Sequence, residues 1–182
     1  MKTVVLAGGY GTRIEEYTKK IPKPMIKIGG IPLLTHIMRI FVSYGYNEFI
    51  IAAGYKKKII QNYYSNSKEF TNLKIIDTGK ETMTGGRLLR LKLYFKKNEN
   101  FFMTYVDGLS DVNLNKLKNF HLKHQKIATV TAVRPPVRFG EISIVKSRVS
   151  SFKEKPEIKS SWINGGFFVL NHEVFKFIKN DA

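Results

Sequence analysis

The chain has no cysteine, which excludes disulfides, thiolate nucleophiles and cysteine-ligated zinc. It also lacks any apolar run near the roughly 18 residues that a membrane span needs. Its first residues enter a strand at once and form no secretory signal, so the expected compartment is the cytoplasm and no membrane partner is expected. There is no internal repeat, low-complexity tract or linker, and residues 1–182 read as one domain. Acidic residues are scarce, 14 against 31 lysines and arginines, which leaves a net charge of +17.

Such a charge by itself favours a polyanionic partner such as nucleic acid. Its distribution argues against that. Lysines are scattered along every segment, with only short clusters at Lys19-Lys20, Lys56-Lys57-Lys58 and Lys96-Lys97, and Ile, Asn, Phe and Tyr are enriched with them. That joint enrichment is what an AT-rich coding sequence produces, so no nucleic-acid partner is expected. Long-range attraction of anionic substrates follows either way. A length of 182 residues with 43% hydrophobic content suffices for a sizeable core.

Val4-Val5-Leu6-Ala7 reads as a buried strand, and it leads into Gly8-Gly9-Tyr10-Gly11-Thr12-Arg13. Glycines there let the backbone approach a ligand closely, and successive free N–H groups make an anion-binding concavity. Arg13 and Lys23 add positive charge, a combination suited to a nucleoside triphosphate. A tight turn needing positive φ would explain the glycines equally well. The dinucleotide fingerprint fails because Ile14 stands where its third glycine belongs, and no Gly-Lys-Ser/Thr follows to make a Walker loop.

Further along, Pro32 can open a helix whose apolar stripe runs Leu33, Leu34, Ile37, Met38, Phe41 and Val42, stopped by Gly45. Strands are expected at 49–53, 73–76, 101–106 and 128–133, and helices at 57–64, 88–94, 114–124 and 173–178. Residues 141–145 and 148–152 form a hairpin across Lys146-Ser147, and Asn113 or Asp111 caps the helix from Leu114. His121 and His124, three apart, have a spacing that could hold a metal but lack a third ligand, and read as surface residues. Strands alternating with helices imply a parallel sheet with ligands beyond its C-terminal strand ends.

Leu6 to Arg13, followed by Pro22-Lys23-Pro24-Met25, resembles the signature of the sugar-1-phosphate nucleotidyltransferases. Asp77-Thr78-Gly79, Thr82 to Arg87, Asp107 to Asn113 and Trp162 to Phe168 resemble the glucose-1-phosphate cytidylyltransferases within that family. The resemblance implies a Rossmann-like α/β fold with a mixed, mostly parallel sheet flanked by helices, of the nucleotide-diphospho-sugar transferase type. It implies nucleotidyl transfer from CTP to glucose 1-phosphate, giving CDP-glucose and pyrophosphate, for deoxysugars of surface polysaccharides such as O-antigen. The nucleotide would meet Leu6, Ala7, Gly8, Gly9, Tyr10, Gly11, Thr12, Thr82, Arg87 and Val106. Arg13 would stabilise the leaving pyrophosphate, Lys23 the α-phosphate, and Asp107 would hold Mg²⁺. The sugar phosphate would meet Gly140, Glu154, Lys155, Asn164 and Gly165.

Close alternatives are transfer from UTP, dTTP or GTP, or nucleotide binding without turnover. Val106 departs from the family, which has glycine before the metal aspartate, and the segment before Asp77 is shorter than usual. The resemblance also implies a homo-oligomer, and a sequence that is short at its C-terminal end relative to the family: where family members place a later metal-binding aspartate, Asp181 comes too early to match.

Overall fold

The computed structural model describes residues 1–12, 15–135, 140–154 and 162–181. In chain order the first half contains β1 (Thr3–Ala7), α1 (Glu15–Thr18), β2 (Lys27–Ile28), β3 (Ile31–Pro32), α2 (Leu33–Ser43), β4 (Glu48–Ala53), α3 (Lys57–Tyr64) and β5 (Asn72–Asp77). The second half contains α4 (Thr84–Leu89), β6 (Asn100–Tyr105), α5 (Leu114–His124), β7 (Ala128–Val133), β8 (Glu141–Val145), β9 (Arg148–Lys153) and β10 (Ile163–Asn171). These residues form two compact units, Met1–Val130 together with the segment from Gly166 onward, and Thr131–Gly165.

Strand alternation decides which side each core residue takes. In β1, Val5 and Ala7 join one apolar cluster while Val4 and Leu6 join the other. In β4, Phe49, Ile51 and Ala53 go one way and Ile50 and Ala52 the opposite way. Both strands are therefore buried on both faces, which is why they read as continuous apolar runs. Phe41 of α2 anchors the first cluster, its ring 5.4 Å from Phe102, 5.9 Å from Phe167 and 6.5 Å from Phe49. Phe95, Phe101 and Phe175 stack in the second.

The sheet order is β5-β4-β1-β6-β10-β7. β1, β4, β5 and β6 run parallel, and β10 lies antiparallel to β6. The mixed, mostly parallel sheet flanked by helices is thus present as expected. From β1 the chain steps outward to β4 and β5 and then returns to β6 on the other side of β1. The reversal opens a crevice beyond the C-terminal ends of β1 and β6.

In the second unit β8 and β9 pair antiparallel across Lys146 and Ser147, both at positive φ. The Arg134 guanidinium lies 4.7 Å from the Trp162 ring centroid there. Among the described residues, no helix is long and apolar enough to cross a membrane.

Four local expectations are corrected. Residues 82–87 are not a loop throughout, because α4 begins at Thr84, with Arg87 N donating to Met83 O at 2.9 Å and Arg90 N to Gly86 O at 3.1 Å. The 88–94 helix is the end of α4 followed by a separate 3₁₀ turn, Lys92–Tyr94. The 173–178 helix is a 3₁₀ turn, His172–Lys176, where Asn171 Oδ1 accepts from Glu173 N and Phe175 drops into the second core cluster.

His121, finally, is no surface residue: it is 2% exposed. Lys126 N donates to His124 Nδ1, so His124 donates from Nε2 to Thr129 Oγ1 at 2.8 Å. Thr129 in turn donates to His121 Nδ1 at 2.8 Å, and His121 Nε2 donates to Asn100 Oδ1 at 3.2 Å. With no third metal ligand in the sequence His121 reads as a surface residue, but a polar network on β6 and β7 draws it in.

Phe41→Ala should cost about 3–5 kcal/mol, the range for emptying a buried phenylalanine site, read from urea unfolding. A second outcome concerns pH. Burial first, and then the neighbouring His124, holds the His121 pKa below its ordinary value. Below about pH 6.5 the unfolded chain therefore binds a proton that the folded chain refuses, so stability falls as pH drops. The urea midpoint should decline more between about pH 7.5 and about pH 5.5 in the native chain than in His121→Gln.

Candidate active site

The crevice at the chain reversal encloses a cleft of about 300 Å³. Leu6, Ala7, Gly8, Gly9 and Gly11 form one wall, Lys23 and Pro24 the rim, and Thr82, Met83, Thr84 and Arg87 a second wall. Tyr105, Val106 and Asp107, from the end of β6, close the floor. Sequence reasoning placed most of these residues at ligand-facing strand ends. It did not name Pro24, Met83, Thr84 or Tyr105 as site residues, although Pro24, Met83 and Thr84 lie inside the quoted motifs and Tyr105 ends a strand.

The glycines have separable reasons. Gly11 has φ +69°, and a Cβ on it would stand 2.8 Å from Thr18 Cγ2. A Cβ on Gly8 would overlap the Arg87 guanidinium, and one on Gly54 would lie 2.6 Å from Arg87 Nη1 and 2.8 Å from Gly8 O. Gly9 has nothing within 4 Å of a built Cβ and no positive φ. The turn reading thus accounts for Gly11, close packing for Gly8, and neither for Gly9, whose backbone faces open space.

Arg87 is 5% exposed. Its Nη1 donates to Thr78 Oγ1 at 3.0 Å and Gly79 O at 2.6 Å, and its Nη2 donates to Lys80 O at 2.9 Å. Burial first, then the charge of Arg90, lowers its pKa, although a guanidinium remains charged at any ordinary pH. Thr78 is held on β4 by donating to Ala53 O from both N and Oγ1, at 2.8 and 2.7 Å. Arg87 therefore braces the 78–80 segment while its flank lines the cleft.

At the rim the Lys23 ammonium is ion-paired with the Asp107 carboxylate. Lys23 is positioned by a 3₁₀ turn, Lys23–Met25, and Asp107 follows the end of β6. Both side chains are partly exposed, and a pair of that kind is worth only about 0–1 kcal/mol, so an arriving polyanion can separate it. Val106 is 6% exposed and packs in the first core cluster with Leu114, so its bulk is directed largely into the core. Thr82 is 8% exposed, largely buried although it contributes to the cleft wall.

Tyr10 does not line the cleft; its ring lies 5.0 Å from that of Tyr55 and its hydroxyl donates to Glu81, which raises the Tyr10 pKa. Thr12 is exposed in the turn beyond Gly11. Arg13 and Lys155 lie outside the described residues. Gly140, Glu154, Asn164 and Gly165 belong to the second unit. There a Cβ on Gly140 would stand 2.7 Å from the Phe152 ring and 3.4 Å from Glu154 Oε2, which brings those two sequence-predicted residues side by side.

Among the described residues no three His, Cys, Asp or Glu side chains cluster in a way that could hold a metal ion. Asp107 is the sole carboxylate lining the cleft among them. One exposed carboxylate fits a magnesium ion that keeps several waters and arrives with phosphate oxygens; it does not make a protein cage. Asp181 is occupied elsewhere, paired with Arg90.

The nucleotidyl transferase family model matches residues 2–182. The chain belongs to that family. This nucleotidyltransferase is 44% identical to glucose-1-phosphate cytidylyltransferase of Salmonella typhi, over 100% of its own length and 79% of the relative's. It is 38% identical to the probable glucose-1-phosphate cytidylyltransferase of Bacillus subtilis, again over 100% and 79%. Among solved structures, HddC from Yersinia pseudotuberculosis complexed with GMP-PN superposes with a TM-score of 0.75 at 24% identity, covering 100% of this chain and 81% of that one. That likeness bears out the fold.

Gly8→Ala and Gly9→Ala separate packing from ligand approach. Gly8→Ala should lower stability by roughly 1–3 kcal/mol in urea unfolding, the cost of displacing a buried, hydrogen-bonded group. Gly9→Ala should leave the unfolding midpoint unchanged and still weaken triphosphate binding by calorimetry.

Proposed function

We propose that this nucleotidyltransferase transfers a cytidylyl group from CTP to glucose 1-phosphate, giving CDP-glucose and pyrophosphate. The observation that carries the reading is the Lys23–Asp107 pair at the mouth of a glycine-walled cleft, in a chain 44% identical along its whole length to a glucose-1-phosphate cytidylyltransferase. A phosphate oxygen of glucose 1-phosphate attacks the α-phosphorus of CTP in line, and the bond from that phosphorus to the β-phosphate oxygen breaks. Pyrophosphate leaves with the electron pair. The nucleophile is already an anion, so no general base is needed, and rate enhancement comes from positioning and charge neutralisation.

Backbone N–H groups around Gly9 receive the phosphates, and Lys23 turns from Asp107 to the α-phosphate as the triphosphate arrives. Arg13 is assigned to the leaving pyrophosphate on the motif alone. Asp107 would hold a Mg²⁺ ion, which would supply charge neutralisation at the phosphates. Roles for Gly140, Glu154, Lys155, Asn164 and Gly165 with the sugar phosphate rest on the resemblance of their motifs.

Titration with CTP, UTP, dTTP, GTP and ATP in Mg²⁺ should show CTP binding most tightly; equal affinities for CTP and UTP, or a preference for GTP, would sink the cytidylyl assignment. Asp107→Asn should leave the unfolding midpoint unchanged and abolish Mg²⁺-dependent pyrophosphate release, and Lys23→Met should slow release on the order of 10²-fold. Full activity in either variant removes that residue from its role.

A further inference from the structure

Beside the cleft, the turn after β4 does more than lead into α3. Lys56 stands in the left-handed region at φ 51°, ψ 34°. An L side chain is disfavoured there, and such a conformation persists where surrounding contacts over-determine it. The contacts are specific. Lys56 Nζ donates to Thr18 O at 3.2 Å and also to Lys19 O. The adjacent Tyr55 hydroxyl donates to the same Thr18 O at 3.2 Å, and the ammonium lies 5.0 Å from the Tyr55 ring centroid.

Tyr55 reaches the glycine loop at two more points. Its backbone N donates to Gly8 O at 3.1 Å, and its ring packs on Tyr10. Thr18, held by both side chains, donates from Oγ1 to Gly11 O at 3.3 Å. One dipeptide thus touches the loop where it leaves β1, at its tip and where it returns. Neither Tyr55 nor Lys56 lines the cleft, and neither belongs to an apolar core cluster.

We propose that Tyr55 and Lys56 are positioning residues that clasp the glycine loop in its phosphate-receiving form before any nucleotide arrives. A loop ordered in advance loses less conformational entropy on binding, so the clasp raises affinity for the phosphate chain whatever the base. The inference rests on the cleft receiving a triphosphate. It does not depend on CTP being the one.

Lys56→Gly is the informative variant, because glycine accepts the left-handed backbone and removes only the clasp. Amide hydrogen exchange in the free protein should accelerate over residues 15–20, and affinity for Mg²⁺-tripolyphosphate and for Mg²⁺-CTP should fall about 10-fold alike, a drop of ~1.4 kcal/mol. The thermal midpoint should hold or rise. Lys56→Arg should restore both readouts, and Tyr55→Phe should lose part of each. Unchanged exchange over 15–20 in Lys56→Gly would overturn the clasp, and so would a fall in thermal midpoint in step with the loss of binding, which marks a merely structural contact. If the native chain binds tripolyphosphate but not CTP, the cytidylyl reading fails and the clasp is still judged by the inorganic ligand. If it binds neither, exchange alone decides whether the clasp holds the loop.

Discussion

The guanidinium of Arg87 is the contact on which the cleft depends. It takes a space left by Gly8 and Gly54, and it spends its donors on Thr78 Oγ1 and the carbonyls of Gly79 and Lys80. A buried cation must be compensated by such bonds, and breaking the set leaves a charge without partners. One side chain on α4 therefore ties together the ends of β1, β4 and β5. The cleft wall is shaped by that brace more than by any loop's own preference.

Around this brace, strong and weak interactions are divided by task. The two aromatic clusters and the parallel ladder supply stability on both faces of β1 and β4. At the rim, Lys23 and Asp107 are partly exposed and weakly coupled, so the pair changes partners at small cost. Paired with each other, the lysine and the carboxylate balance their charges locally at the mouth of the cleft. The large positive net charge of the chain adds long-range attraction for the same anions.

Several features were legible because local chemistry decides them. Apolar runs such as Phe49 to Ala53 gave the buried strands, Gly45 the end of α2, and Asn113 the cap of α5, where its side chain accepts from Lys116 N at 2.9 Å. The glycine loop, Lys23 and Asp107 were visible from short motifs as neighbours of one cleft, and all of them line it except Tyr10 and Thr12 of the loop and Arg13, which lies outside the described residues. Other features resisted because distant partners decide them. Glycines at 85 and 86 argue against a helix, yet a Cβ on Gly86 would stand 2.8 Å from Asp181 Cα, so close packing takes precedence over helix propensity. His121 read as exposed because nothing near it in the chain announces Asn100 or Thr129.

By itself, then, the order of residues determined the alternation of strands and helices, the position of the glycine turn after β1 and the family to which the chain belongs, all of which rest on periodicity and short motifs. Only the tertiary structure decided that Arg87 is a buried brace, that Gly8 and Gly9 serve different ends, and that Lys23 meets Asp107. Those depend on strands β1, β4, β5 and β6, far apart along the chain, arriving side by side, and the register between them is set by burial on both faces of the sheet.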